Sequence, residues 1–530
     1  MTKQTISIAI EFDSKRCRCC YLNRTTNEYE LLKFNEDQTY LPISIDFSVS
    51  PPSIGTNQDL LFPDIQKLIG IKYNDPIIQQ MIQNESYPFE IKPDDQGYCK
   101  IDVPNSLRKI RLPIVEIFVL ILYKIKIELI KQLQLSNTCE IKAIVSIPGS
   151  FLIKQREMMK DVVEMVGMKL ISFLYRPLSV MTMYKKETKK VKEGMYLVIE
   201  IDEQRSSISH IKNEKNGEMK LLKIEEYDDI NEEKIFQVYE NYFQLILSKI
   251  KQDPMNNNFI SSLQIKGTDT KSEKESKKQI LNQLKSITDE SLNELIVKEK
   301  TKIKFDKTMK LSSHEILVGL DEFKENEREA FITFNNHIKT FLEKQRLNKS
   351  MITNIIPIGK CFTLPYVLDN LPSIQSKSKV PDTFYSEDIV VKGLMTYLNE
   401  HMKGYVEIGY TKIVSENIYM SGEDGYHKII DEGTSVPHIH EFYVEIPGQK
   451  VQTELKEKEG SLGIHVIKDI PTNERFVLVT VIIDPDGELS IVGEFTDQSI
   501  LEIGCFIGIE LINAKKIRRG NDIIQYYMNN

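Results

Sequence analysis

Three cysteines, Cys17, Cys19 and Cys20, crowd into four residues, and soft thiolates at such spacing can hold a metal. There is only one such element, and no paired C-x-x-C accompanies it. Cys99, Cys139, Cys361 and Cys505 are scattered. The cluster is read as thiols alternating along a strand. His438 and His440 lie two apart and would share one face of a strand, but a third ligand is not evident. No metal site is therefore assigned. The sequence contains no nucleophile elbow G-x-S-x-G, no Walker phosphate loop and no H-E-x-x-H.

The elements that would position any chemistry follow from periodicity. Residues 6–12 alternate and read as a strand, with Cys17 to Leu22 as its hairpin partner. Residues 141–147 form another strand, stopped by Pro148-Gly149, and a helix follows from about Lys154 to Val166. Leu197 to Ile201 and Ser207 to Ile211 are further strands. Glu232 to Lys251 is a long amphipathic helix. Asn354 to Ile358 is a strand ending at Gly359, and a short helix begins at Pro365. This alternation predicts an α/β body over the first ~400 residues. After Gly404 the pattern changes to short strands with turns at Gly422 to Gly425, Pro447-Gly448 and Pro485-Asp486-Gly487, the mark of an all-β domain. The run Lys515 to Arg519 is expected to be part of a solvated terminus.

With 530 residues the chain needs two or three domains. Its net charge of -8 argues against nucleic acid and anionic membranes as partners. The most apolar stretch, Ile114 to Ile130, carries Glu116, Lys124, Lys126 and Glu128 and reads as a partly buried helix, not a membrane span. The first residues lack a signal-peptide pattern. The odd number of cysteines, seven, fits a reducing compartment, so a cytoplasmic location is expected.

Several segments, in colinear order over about residues 5–500, resemble the seventy-kilodalton heat-shock chaperone family. Ile65 to Pro76 looks like the family's lysine-bearing segment, with Tyr87-Pro88-Phe89 after it. Val145 to Phe151, followed by Gln155-Arg156, is similar to its proline-switch strand and helix, and Pro177 and Tyr184 match the next helix. Gly433 to Pro437, Ser461-Leu462-Gly463 and Ile483 to Leu489 resemble its β-type substrate domain. The resemblance implies an actin-like, duplicated ribonuclease-H-like ATPase domain over 1–403 and a linker at 404–410. A β-sandwich peptide-binding domain would follow over 411–500, then a short extension, 501–530, in place of the family's helical lid. It also implies ATP or ADP with Mg2+ as cofactor, unfolded polypeptides as ligands, and J-domain co-chaperones and exchange factors as partners.

A nucleotide pocket of this kind needs glycine-rich turns, so that backbone N–H groups approach the phosphates closely, and carboxylates to organise the magnesium. Here the first turn, Glu11 to Arg16, has no glycine, and Asp13 stands at the glycine position. The second, Glu200 to Ser206, has three acids where the family has an aspartate and three glycines. Like charges ~4 Å apart cost about 4 kcal/mol at an effective dielectric of 20, which Arg205 or Lys15 would have to offset. Gln66 replaces the family's catalytic lysine and Arg176 its second-lobe glutamate, while Gly359 is kept but followed by Lys360. The remaining candidates for nucleotide contact are Glu11, Ser14, Lys15, Lys67, Glu200, Lys285 and Gly359. The expectation is weak or absent hydrolysis, and a non-catalytic scaffold or regulator of another chaperone is the alternative function.

Pro148 and Arg156 match the family's interdomain coupling positions; on their own chemistry they read as a strand-ending proline and an exposed helix arginine. The peptide groove is expected near Met420, Ser421, Val451 and Thr453, with its register unfixed.

Overall fold

The computed structural model describes residues 4–252 apart from 24, 58–59, 84–86, 104–109, 137 and 190. Beyond them it describes 300–304, 315–319, 325–363, 367, 380–402, strands and short connections within 410–502, 518–526 and 528. Lys285, most of the helix expected after Pro365, residues 404–409 of the linker and the turns at Pro447 and Pro485 lie outside the described residues. The chain divides into two units. The first comprises Met1–Glu193, Ile211–Ile224 and Asp388–Asn530, and the second Gly194–His210 and Glu225–Glu387.

In the first unit, β1 (Thr5–Phe12), β2 (Arg16–Asn23), β3 (Glu28–Leu31), β4 (Glu140–Ile147) and β5 (Lys169–Tyr175) form one mixed sheet in the order β5-β4-β1-β2-β3. β1 is central. Its last five residues are all buried, as a strand covered on both faces requires. It runs parallel to β4, with Ile8 opposite Ala143, and β4 runs parallel to β5, with Ile147 opposite Tyr175. The carboxyl ends of all three strands therefore share one edge.

Helices α1 (Ile114–Gln132), α2 (Ile153–Met165) and α3 (Arg176–Thr188) follow β3, β4 and β5 in the chain. In α1, Phe118, Leu122, Ile125 and Leu129 recur at helical spacing and are fully buried. Phe118 meets Phe12 edge-on at 5.1 Å, which anchors α1 beside the last residue of β1. None of the described helices is long and apolar enough to cross a membrane.

The strand β6 (Gly194–Ile201) leads into β7 (Ser206–Asn213), and β8 (Met219–Tyr227) follows before α4 (Glu232–Gln252). After α5 (Glu325–Lys344), β9 (Ile352–Ile358) lies parallel to β6, with Glu200 opposite Ile358. Leu197, Ile199 and Ile201 of β6 join Ile235, Tyr242 and Ile246 of α4 and Phe341 of α5 in one core. Mixed sheets with covering helices are compatible with the actin-like expectation.

Helix α6 (Ile389–Met402) and the strand-rich half return to the first unit. Its strands are β10 (Tyr410–Ile413), β11 (Ile418–Gly422), β12 (Gly425–Ile430), β13 (His438–Glu445), β14 (Val451–Glu457), β15 (Gly460–Ile467), β16 (Phe476–Ile483), β17 (Leu489–Glu494) and β18 (Ile500–Glu502). β12-β11-β14-β15 and β13-β16-β17-β18 form two four-stranded antiparallel sheets. The Gly422–Gly425 hairpin occurs where the turn chemistry placed it. Residues 518–526 form a helix, and Gly520, Ile523 and Ile524 are buried, while Arg518 and Arg519 are exposed. Arg518 and Arg519, the described part of the basic run, are exposed as expected, while the helix they begin turns one face of three residues away from water.

Replacing Phe118 by alanine deletes the ring that fixes α1 to the end of β1. The expected loss is about 3–5 kcal/mol, measured as a shift in chemical denaturation.

Candidate functional site

Strand ends in each unit carry a tight turn of the same composition. In the first unit the turn between β1 and β2 is closed by the Asp13 N–H donating to the Arg16 carbonyl at 2.8 Å. In the second, the Asp202 N–H donates to the Arg205 carbonyl at 2.9 Å between β6 and β7. The sequences are Glu11-Phe12-Asp13-Ser14-Lys15-Arg16 and Glu200-Ile201-Asp202-Glu203-Gln204-Arg205. Both read Glu, apolar, Asp, two polar residues, Arg. The resemblance drew attention to the missing glycines and hid this repeat, which comparison of the two hexapeptides reveals directly.

In the second turn the Asp202 carboxylate accepts the backbone N–H groups of Gln204 and Arg205, both at 2.9 Å and both on Oδ1. Asx-type turns arise this way, because a short carboxylate reaches donors two and three residues on. The Arg205 guanidinium then covers the acids: its Nε lies 3.6 Å from Asp202 Oδ2 and its Nη1 donates to Glu226 at 3.4 Å. Arg205 is only 4% exposed. Of the two cations expected to offset the acid cluster, the structure shows Arg205 doing so. Asn231 and Glu232 also hold this turn. The Asn231 amide donates to the Gln204 carbonyl at 3.4 Å, and the Glu232 N–H donates to the Asp202 carbonyl at 2.7 Å.

The first turn behaves alike. Asp13 does not extend away from the loop; its Oδ1 accepts the Ser14 N–H at 2.8 Å and its Oδ2 accepts from Arg18 at 3.3 Å. Burial works against the ionised carboxyl, but the Arg176 and Arg18 guanidiniums and the Ser14 N–H outweigh it and hold Asp13 below the ordinary carboxylate range. Arg176, the first residue of α3, donates to Glu11 Oε1 at 2.8 Å. The parallel register explains the meeting, since β1 and β5 end on one edge with only β4 between them. Glu11, Arg18 and Arg176 are 1%, 2% and 7% exposed. With Asp13, which is partly buried, two acids and two arginines make a neutral quartet. Sequence reasoning saw Glu11 as a candidate for nucleotide contact and Arg176 as standing in for a glutamate of the family; the structure pairs the two.

Ser14 is buried, and its carbonyl accepts the Asp64 N–H at 2.7 Å, which brings the 65–68 segment to the first turn. There Gln66 is 1% exposed, while Lys67 pairs with Asp64 at 3.4 Å. Gln155 Nε2 fixes the backbone by donating to the Gln66 and Lys67 carbonyls, each at 3.2 Å. Lys15 contributes its carbonyl to the Ile43 N–H at 2.9 Å. Glu200 is buried at the end of β6. Gly359 has φ +111, and a Cβ added there would come within 2.2 Å of the Ile201 carbonyl oxygen. Packing against β6 alone demands glycine at this position.

Pro148 ends β4 as expected. Arg156 is corrected from exposed to buried: it is 3% accessible and donates to the Phe151 carbonyl at 3.1 Å and the Tyr175 hydroxyl at 2.5 Å. In the strand-rich half, Met420 on β11 stands opposite Leu455 on β14. Val451 and Thr453 stand opposite Ile467 and His465 on β15. Cys17, Cys19 and Cys20 alternate along β2, buried, with burial raising each thiol pKa. His438 and His440 stack at 6.3 Å on β13. No cluster of three or more metal-ligating residues occurs among the described residues.

Residues 53–223 match a family model described as Hsp70 protein. Over that span the chain is similar to the Hsp70 family. A heat shock protein of Pyricularia oryzae (strain 70-15) is 24% identical over 185 residues, 33% of this chain and 29% of that protein. The match thus spans under a third of the relative's length. The model's span includes Gln66, Pro148, Arg156, Arg176 and the second turn; the first turn precedes it.

Arg176→Met leaves Glu11 and Asp13 buried with one guanidinium fewer and should destabilise the protein by about 3–5 kcal/mol. Adding Glu11→Gln should recover part of that loss, read in a double-mutant denaturation cycle. Because the folded Asp13 carboxyl is held low, its contribution is complete above about pH 4, the unfolded value, and is lost as pH falls through the lower folded value. Asp13→Asn should therefore flatten the acid limb of the stability curve below about pH 4, measured by thermal melts across pH.

Proposed function

We propose that this Hsp70-family chain is a polypeptide-binding chaperone that works without ATP turnover. Members of the family bind unfolded polypeptides and ATP or ADP with Mg2+. The observation that carries the reading is that both turns satisfy their own donors. A phosphate needs backbone N–H groups presented to it. In the second turn, two of these N–H groups already donate to Asp202, and in the first, the Ser14 N–H donates to Asp13. Hydrogen bonds to a charged group are worth about 1.5–3 kcal/mol each, so a nucleotide would have to displace contacts of its own kind and approach fixed carboxylates. Glu11, the acid best placed for magnesium water, is paired with Arg176. These residues do not fit a magnesium nucleotide, and no step through one is derived.

Polypeptide binding would rest on the strand-rich half. Residues 411–500 are read as the family's β-sandwich domain, its groove near Met420, Ser421, Val451 and Thr453. Pro148 and Arg156 would couple the α/β body over 1–403 to it, through a linker at 404–410. The linker segment Val406 to Tyr410 lacks the leucine-rich character of the family's linker, so coupling would be weak, which suits a chaperone that holds clients without a release cycle. J-domain proteins and exchange factors, whose role is to drive that cycle, would then be dispensable partners. Cytoplasmic residence accords with the free thiols among the described residues.

Purified protein should show no melting shift with millimolar Mg-ATP and no turnover of radiolabelled ATP, while suppressing aggregation of an unfolded client. A ligand at 100 times its dissociation constant would add about 2.7 kcal/mol, so a clear shift, or turnover at the rate of intact family members, overturns the nucleotide-free reading. Failure to hold any unfolded client would instead favour the scaffold or regulator role.

A further inference from the structure

The end of α2 is an unusually complete corner. Gly167 follows it with φ +73, and its N–H donates to the Glu164 carbonyl at 2.9 Å. The Met168 N–H donates to the Val163 carbonyl at 3.2 Å. Lys126, from α1, reaches over to donate to the Val166 carbonyl at 2.7 Å, and burial lowers its pKa. On the Met165 carbonyl sits a residue from the far end of the chain, Gly520. A Cβ added at Gly520 would lie 2.1 Å from that oxygen and 2.6 Å from its carbon. No residue larger than glycine fits there without moving one backbone off the other.

Gly520 belongs to the 518–526 helix, and Ile523 and Ile524, three and four residues on, are 8% and 9% exposed. Glycine and the two isoleucines thus share one helical face, which is buried, while Arg518, Arg519, Asp522 and Tyr526 are exposed. Two arginines immediately before Gly520 bring positive charge beside the carbonyl end of α2, where the helix dipole is negative. A helix of nine residues is marginal in water by itself, because nucleation is costly and few bonds follow. Its order here depends on its seat.

We propose that the carboxyl end of α2 is a docking seat for a short amphipathic helix, and that residues 518–526 are its built-in, detachable occupant. The recognised pattern is a basic pair, a glycine, and apolar residues three and four positions later. Undocking exposes the Met165 corner of α2, the helix that also carries Arg156. The segment is therefore a strap whose docking sets how firmly α2 is held. This inference is independent of the nucleotide question.

Two full-length variants test it. Gly520→Leu blocks the close approach, and Arg518→Glu with Arg519→Glu reverses the charge without touching the buried face. Hydrogen exchange over residues 163–168 and 520–526 is expected to quicken by at least about tenfold in Gly520→Leu, as local opening becomes populated, and by less in the charge-reversed protein. A fluorescent peptide of residues 515–528 should bind Gly520→Leu in trans, and should bind the unaltered chain much more weakly because its own helix occupies the seat. Unchanged exchange in both variants overturns the proposal. So does a peptide that ignores Gly520→Leu, or one that binds both proteins equally.

Discussion

Backbone N–H groups at the end of a parallel sheet cannot go without an acceptor once they are buried. A bound phosphate is one way to supply it. In this chain the acceptor is covalently attached: Asp13 and Asp202 bend back onto the turns that bear them. Much of the local architecture follows. Each partly buried aspartate brings a need for positive charge, met by Arg18 and Arg176 in one unit and by Arg205 in the other. Glu11, drawn to Arg176 across the end of β4, completes a neutral cluster on the edge where three parallel strands stop.

The two turns bear the same six-residue pattern, and the likeness matters more than either turn alone. Random loss of glycine would leave two differently damaged loops. Instead both keep a hairpin of one geometry, closed by an aspartate N–H and an arginine carbonyl. Their capping is similar in kind but not in detail. Asp202 takes two N–H groups and a single buried arginine, whereas Asp13 takes one N–H and sits in the field of two arginines. The second turn is further tied to the start of α4 through Asn231 and Glu232.

Strands and helices were legible in the sequence because hydrophobic periodicity is a local signal. β1, β4, β6, α2 and α4 begin and end close to where alternation and amphipathicity placed them. The candidate site was legible only in part. Loss of glycine is a local fact, plain from residues 11–16 and 200–206. The Glu11–Arg176 pair joins positions 165 apart, and no window of sequence shows that their strands end on one edge. Arg156 was misjudged for a similar reason. An arginine on an amphipathic helix is usually solvated, but here the Phe151 carbonyl and the Tyr175 hydroxyl give its charge a buried home. The 518–526 helix was missed because its seat, the end of α2, is built by a distant part of the chain.

Gly359 bears on how damaged binding sites are recognised. It is the residue in the third turn that still matches the family pattern, and taken alone it would count as a relic of adenosine binding. Its φ of +111 and the nearness of the Ile201 carbonyl give it a full-time structural task. A glycine can thus outlive the ligand it once served, held in place by a neighbouring strand. Motif scores that count surviving glycines will overstate binding competence wherever the same atom also spaces two backbones. The residues with more to say about such a pocket are those without a structural duty of this kind.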